Sequence, residues 1–275
     1  MSAVINVSDS ALFGLLLEGL EAYSIKHDNK YIVALETHAQ LWGETNKSLP
    51  FKCHVNHISV DSSAVKSRGE VAPSALSLEM KKDIAHMFGG DYQHLGSFHT
   101  HPWLIGEKFG NEVVSNANFI RKKKLYDFSN GDHACEIGSP IIQVKNIDFS
   151  IALVMTIFTA EKADDRKDGE VTSDLYEFSL GNIKVWLKAQ VYEHKAIESL
   201  VDIDIKALEI YDLYIDDLLE NKQIISLPVP VKTTIVSPFF DNLDYYLKKF
   251  GRLNITSRKS YYSTAREAEK RPLVI

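Results

Sequence analysis

Two histidines, His99 and His101, are the residues of this chain whose types and spacing most directly suggest chemistry. Side chains alternate between the two faces of a β-strand, so residues i and i+2 point the same way. If this segment is a strand, both imidazoles can reach one ion, and Asp132 can supply a carboxylate as the third ligand. Three protein ligands with a fourth position left for water are typical of catalytic rather than structural zinc. The sequence therefore predicts a catalytic zinc site at these three residues.

A carboxylate beside such a site can act as general base toward the water that attacks the substrate. Glu36 follows an apolar run at residues 31–35 that predicts a buried strand, and it is the candidate that the motif described below implies. Alternatively, Glu36 has a structural role, as a strand residue held in a salt bridge.

The elements that must position these residues follow from hydrophobic periodicity. The segment 94–98 leads as a strand into His99. An apolar face over 11–23 and an amphipathic pattern over 77–88, which stops at Gly89, predict helices. Apolar and β-branched runs predict further strands at residues 51–60, 151–158, 176–180 and 183–192.

The pattern changes near Lys195. A long helical pattern occupies 195–221, three prolines at 228, 230 and 238 interrupt the chain, and a second helical segment covers 241–250. We therefore expect a mixed α/β domain over 1–195 and a mostly helical appendage over 196–275.

Composition limits the class of protein. A hydrophobic fraction of 45% over 275 residues is enough to bury a core, and a net charge of −6 disfavours a nucleic-acid-binding role. Cys53 and Cys135 have no paired spacing, which favours reduced thiols and a cytoplasmic protein. No secretory signal pattern opens the chain, and the longest apolar run, 151–160, is too short to span a bilayer, so we expect no membrane association.

The order of these residues resembles a known motif. Glu36 opens Glu-Thr-His-Ala-Gln-Leu-Trp-Gly, His-Thr-His-Pro follows at 99–102, and Ser129-x-x-Asp132 comes last. This resembles the JAMM motif of the JAB/MPN metalloproteases over residues 10–195. The resemblance implies an α/β (α+β) fold in which helices flank a mixed β-sheet, as in a cytidine-deaminase-like sandwich.

The resemblance also implies roles. His99, His101 and Asp132 would bind Zn²⁺, Glu36 would move a proton from water to the leaving amine, and Ser129 would help hold the oxyanion. The implied activity is that of an isopeptidase that cuts after the C-terminal glycine of ubiquitin or a ubiquitin-like modifier. Apart from the resemblance, the apolar content of the long helix predicted from Lys195 predicts that the appendage 196–275 mediates homodimerisation or binds a partner protein.

The chain departs from the motif between the histidines and Ser129. The 26 residues 103–128 form an insertion, which we expect to flank the cleft and to help select the substrate. A long insertion can leave both ends in place, since the entropy of loop closure grows slowly with length. The insertion leaves Asp127 as a reserve ligand, and Ser129 could simply cap a turn or a helix.

Two other classes remain open. An MPN domain can be an inactive scaffold, although scaffolds typically lose the ligands that this chain keeps. Amidohydrolase or phosphoesterase barrels also begin with His-x-His, but they need several later histidines, and only His133 and His194 follow. We expect His133, next to Asp132, to lie behind the ligands or on the surface. The sequence around Cys135 contains no pattern that would activate its thiol as a nucleophile.

Overall fold

A computed structural model describes residues 2–24, 34–89, 92–139, 142–160, 166–213 and 226–242. They contain fourteen β-strands and six α-helices. The strands are β1 (Ser2–Val7), β2 (His38–Thr45), β3 (Lys52–Val60), β4 (Val65–Lys66), β5 (Val71–Ala72), β6 (Gln93–Trp103), β7 (Lys108–Phe109), β8 (Glu112–Val113), β9 (Ile142–Val144), β10 (Ile147–Thr159), β11 (Gly169–Thr172), β12 (Leu175–Leu180), β13 (Ile183–Ala196) and β14 (Ser226–Val236). The helices are α1 (Asp9–Ser24), α2 (Ala75–Phe88), α3 (Ala117–Lys123), α4 (Asn130–Cys135), α5 (Asp202–Ile210) and α6 (Pro238–Asp241).

Several predicted elements are confirmed. The two helices appear as α1 and α2, and the strands at 51–60, 94–98, 151–158, 176–180 and 183–192 appear as β3, β6, β10, β12 and β13. Part of the strand predicted at 31–35 and most of the helix predicted at 241–250 lie outside the described residues.

The predicted α/β sandwich is wrong. Seven strands close into a mixed β-barrel in the order β13-β14-β1-β3-β2-β6-β10, and β10 then pairs with β13. The three further strands of the same sheet, β9, β11 and β12, extend from β10 and β13. The closing pair is antiparallel and runs from Asp148 opposite His194 to Thr159 opposite Ile183. Because a closed barrel has no sheet edge, the strands do not form a flat sheet between two helical layers.

The C-terminal region supplies one strand of this barrel, which corrects the expected helical appendage. Residues 226–231 of β14 pair with β13, and residues 232–236 pair with β1. Pro228 and Pro230 lie in the half of β14 that, among the described residues, pairs with β13 alone. On the side of β14 away from β13 there is therefore no strand pairing that would require their missing N–H groups. Of the helix predicted over 195–221, the structure shows only α5, and 214–221 lie outside the described residues.

The barrel strands bury two different faces. On β10, Ile151, Leu153 and Met155 pack in the main core with α1, whereas Ala152 and Val154 face outward and pack with Phe128 and Tyr192. Both faces of β10 are buried because the inserted segment covers the outer one. This explains why its sequence reads as an uninterrupted apolar run.

The insertion 103–128 is a folded layer on the outside of the barrel. It contains the β7–β8 hairpin and α3, and its apolar side chains pack on Phe158, Leu175 and Trp186. The Arg121 guanidinium donates to Glu177 of β12 at 2.8 Å. Arg121, the first of four consecutive basic residues, therefore anchors the insertion to the barrel.

Candidate metal centre

The two histidines lie on the outer face of β6, as strand alternation predicts. His99 and His101 are partly exposed, whereas Phe98, Thr100 and Pro102 between and beside them are buried. The Nε2 atoms of the two histidines are 3.0 Å apart. Strand periodicity alone brings these two ligands together.

The third ligand comes from α4. Its N-cap is Ser129, whose Oγ accepts from the Asp132 backbone N–H at 3.1 Å, while the Asp132 carboxylate accepts from the Ser129 backbone N–H at 2.7 Å. This capping box holds the carboxylate at the helix N-terminus. Its Oδ1 is 3.2 Å from His99 Nε2, and its Oδ2 is 3.3 Å from His101 Nε2.

These spacings match a metal coordination sphere. Ligand atoms about 2.0–2.2 Å from a tetrahedral zinc lie about 3.3–3.6 Å from one another. The observed separations of 3.0, 3.2 and 3.3 Å are close to that range. Among the described residues, His99, His101 and Asp132 are the one group of three or more such side chains that could hold an ion.

The protonation states also suit a metal. Burial lowers the pKa of His99, so its imidazole stays neutral near pH 7 despite the neighbouring carboxylate. Burial alone would raise the pKa of Asp132, but hydrogen bonds from His101 and His99 outweigh it and hold that pKa well below its usual range. At neutral pH the group therefore offers a neutral imidazole and an ionised carboxylate, the forms that bind metal.

Glu36 lies close enough to this group for the charges of His101 and Asp132 to act on its pKa. Burial raises the pKa of Glu36 to about 7. Its backbone is fixed on both sides: the Glu36 N–H donates to Ser67 O at 2.8 Å, and Thr37 pairs with Thr100.

The pairing of Thr37 with Thr100 ties the glutamate to the histidine strand. Thr100 N–H donates to Thr37 O at 3.1 Å, and Thr37 N–H donates to Thr100 Oγ1 at 3.0 Å. Since Thr100 stands between the two histidines, Glu36 is held in register with both of them. Sequence reasoning did not identify this contact, and no local pattern marks it.

Contacts on α4 that the sequence did not reveal hold the third ligand in place. The Tyr192 hydroxyl and His133 Nδ1 are 2.7 Å apart, and the His133 ring lies 3.5 Å from the ring of Tyr211. The Asn130 amide donates to the Asp212 carboxylate. These three contacts bind α4 to β13 and to the residues that follow α5.

The other candidate residues lie elsewhere. Asp127, the reserve ligand, pairs with Lys188 at 3.3 Å and does not join the group. His133 is buried behind the ligands. Ser129 caps α4, as the structural alternative for this residue predicted. Its Oγ accepts a hydrogen bond from the Asp132 N–H, so the hydroxyl hydrogen remains available to a substrate. Burial raises the pKa of the Cys135 thiol, which disfavours a thiolate nucleophile.

A cavity of about 510 Å³ lies apart from this group. Trp42, Tyr92 and His94 line it together with the C-terminal end of α2. It lies at the start of β6, whereas the ligands lie near the end of that strand. We place the candidate chemistry at the metal group, because the cavity brings no acidic side chain together with its histidines.

No protein-family model matches this chain, and a search of curated proteins finds no significant match. Among the described residues, no helix combines the length and the apolar composition needed to cross a bilayer. The geometry of the metal group and its surroundings is therefore the basis for inferring a function.

Proposed function

We propose that this chain is a zinc-dependent hydrolase that cleaves an amide bond, with His99, His101 and Asp132 as ligands and Glu36 as general base. One observation carries the proposal: two imidazole nitrogens of one strand and the carboxylate of a separate helix converge within 3.0–3.3 Å of one another, as a group that could hold one metal ion. All three side chains remain partly exposed, so an ion held by them would be open to solvent. An open fourth position is the feature that separates catalytic from structural zinc sites.

The protein side chains have distinct parts in the reaction. A bound Zn²⁺ would supply a water of lowered pKa and polarise the scissile carbonyl. Glu36 accepts the proton of the attacking water and returns it to the leaving amine. A bound cation also lowers the pKa of Glu36 below its metal-free value of about 7, which keeps the base ionised at neutral pH.

In this proposal Ser129 stabilises the charge that develops on the substrate oxygen. Its Oγ already accepts from Asp132 N–H, so its own hydrogen can point away from the helix. One such donor at an oxyanion contributes about 2.7–4 kcal/mol in comparable sites.

The surroundings favour an extended peptide as substrate. Ser67, in the turn between β4 and β5, accepts a hydrogen bond from the Glu36 N–H through its carbonyl oxygen. The insertion begins at the end of the histidine strand β6. Arg68 of this turn pairs with Glu107 of the insertion at 2.8 Å, so the two segments flank the ligands as a connected rim. We infer that a narrow chain such as the C-terminal tail of a ubiquitin-like modifier suits this rim.

The first experiment is metal content per chain by elemental analysis, in the wild type, Asp132→Ala and Asp127→Ala. We expect near one zinc in the wild type, strong loss in Asp132→Ala, and full retention in Asp127→Ala, which is the matched control. Zinc that persists in Asp132→Ala would place the third ligand elsewhere. A wild type that binds no zinc even after its addition would instead favour the scaffold alternative.

The second experiment separates metal binding from catalysis. Wild type and Glu36→Gln, both loaded with zinc, are incubated with a ubiquitin-like protein whose C-terminal glycine carries a fluorogenic amide. We expect turnover only in the wild type. Equal turnover in both proteins would remove Glu36 from the mechanism, and zinc binding without turnover on any amide would limit the proposal to a metal site.

A further inference from the structure

The cavity of about 510 Å³ beside α2 is separate from the metal group. Residues of α2, of β2 and of the start of β6 line it. Its volume falls in the range of small-molecule sites, about 300–1,000 Å³. Five residues of strand separate His94 in its wall from His99 of the metal group, which is about 16 Å along an extended chain. What the cavity binds must therefore be inferred from its own walls.

Two irregularities of the sheet place Trp42 in this wall. The register of β2 shifts against β6 between Leu41 and Trp42, and against β3 between Trp42 and Gly43. The second shift requires glycine, because a Cβ on Gly43 would lie 1.8 Å from His54 O. The shifts set Trp42 opposite His94, with 4.9 Å between the ring centroids. Irregularities of this kind are frequent beside functional sites, where they re-aim a side chain.

Contacts with residues outside the cavity fix two of its aromatic rings. The Trp42 Nε1–H donates to Ser59 Oγ at 2.8 Å. The Tyr92 ring stacks on His57, with 5.1 Å between the centroids. Rings that are already held in place can accept a flat ligand at little cost in side-chain entropy.

His94 adds a third ring that is held in the same way. Its Nε2 lies 2.7 Å from Gln40 Oε1 and 3.1 Å from Gly96 O, so this nitrogen carries the hydrogen and donates to oxygen acceptors. Burial, together with the charge of Lys82, lowers the pKa of His94 to about 4. At neutral pH the wall is therefore aromatic and uncharged.

The polar groups of the cavity favour an anion. Lys82 and His86 lie one turn apart on α2, and both line the cavity while they remain exposed. Among the described residues, no acidic side chain lines it. The Gln93 Oε1 accepts from Thr45 Oγ1 at 3.2 Å, so the amide N–H groups of Gln93 can donate to a ligand.

We propose that this cavity binds a small ligand that carries an anionic group on a planar aromatic system. The ring packs against the aromatic wall, and the anion pairs with Lys82 and with the imidazole of His86. Nucleoside monophosphates and aromatic carboxylates share this chemistry. The proposal is independent of the proposed hydrolase activity, because the cavity contains none of the residues of the metal group.

Isothermal titration of the full chain tests the proposal with two complete probes, adenosine monophosphate and indole carboxylate. We expect at least one of them to bind with a dissociation constant below about 1 mM. The matched fragments are adenosine and indole, which lack the anion, and ribose phosphate, which lacks the ring. Each fragment should bind at least about tenfold more weakly than its complete probe. The tighter of the two complete probes shows whether the site prefers a phosphate or a carboxylate.

Two pairs of variants locate the binding in the cavity. Ala85→Phe fills the cavity without removing a polar side chain and should abolish binding, whereas Ile84→Phe, at the neighbouring exposed position, should bind as the wild type does. Lys82→Met should weaken binding about tenfold. Its matched control is Lys206→Met, at an exposed position of α5, which should leave the affinity unchanged. All variants are checked for native thermal unfolding before comparison.

Three results would overturn the proposal. A wild type that binds neither complete probe below about 1 mM does not take this class of ligand. Fragments that bind as tightly as the complete probes would show that the ring and the anion are not recognised together. Binding that survives Ala85→Phe would lie outside the cavity.

Discussion

The two roles of Asp132 can be separated by a matched pair of substitutions. Its carboxylate caps α4 through the Ser129 backbone N–H at 2.7 Å, and the same carboxylate lies 3.2 Å from the Nε2 of His99. Asp132→Asn keeps an oxygen that can accept from Ser129 but removes the charge that a metal requires. Ser129→Ala removes the hydroxyl that caps the helix but keeps the carboxylate.

Magnitudes follow from these contacts. Loss of a serine N-cap costs about 0.5–2 kcal/mol of stability. A metal at a hundredfold excess over its dissociation constant stabilises the native state by about 2.7 kcal/mol. At roughly 2–4 °C per kcal/mol for a chain of this size class, zinc should raise the melting temperature of the wild type by about 5–10 °C.

The assay is thermal unfolding of each variant with and without zinc. Ser129→Ala should melt earlier than the wild type in both conditions and still show the full zinc-dependent rise. Asp132→Asn should melt near the metal-free wild type and show almost no rise. An equal zinc-dependent rise in all three proteins would refute the assignment of Asp132 as a ligand, and a loss of the rise in Ser129→Ala would show that the cap, not the charge, decides binding.

Further outcomes follow from other contacts. Glu36→Gln should bind zinc as the wild type does but hydrolyse amides at least about a hundredfold more slowly, as a loss of general base catalysis predicts, measured under single turnover. Lys184→Met should cost about 3–5 kcal/mol in denaturant unfolding, because Lys184 pairs at 2.7 Å with Glu177 and at 2.6 Å with Asp168, and all three are buried. Burial lowers the pKa of His38 from 6.5 to about 4, so the unfolded chain binds this proton more readily and stability falls as the pH drops from about 6.5 to 4. Urea titrations across that pH range measure the free energy of unfolding. Its decrease with falling pH should be smaller in His38→Gln than in the wild type, by up to about 3 kcal/mol.

The ligands could be predicted because their signal is local. Two histidines at i and i+2 share a face in any strand, and β6 is a strand through both of them. Asp132 was predicted from the resemblance of Ser129-x-x-Asp132 to a family motif, and in the structure the same four residues form a capping box. The contacts of Thr37 with Thr100 and of His133 with Tyr192 join residues 63 and 59 positions apart, so no window of the sequence contains them.

The barrel could not be predicted, because its closure depends on pairings between distant segments. β14 pairs with β1, which joins residues near the two ends of the chain. The same strand contains Pro228 and Pro230, and prolines ordinarily argue against a strand inside a sheet. The long helical pattern after Lys195 is apolar enough to suggest an independent unit, yet the chain returns to the barrel at Ser226.

Closure of the barrel also explains how the site survives a long insertion. The position of Asp132 does not depend on the length of chain that separates it from His101, because α4 is attached to β13 through His133 and Tyr192. β13 pairs with β10, and β10 pairs with the histidine strand, so two strand pairings set the distance between the helix and the histidines. The insertion packs over the outer face, where its last residue, Phe128, contacts the rings of His99 and His133. Tyr192→Phe should therefore weaken zinc binding in a competitive titration. Its matched control on the insertion, Arg121→Met, should leave the zinc affinity unchanged. The opposite result would show that the insertion, not the barrel, positions the third ligand.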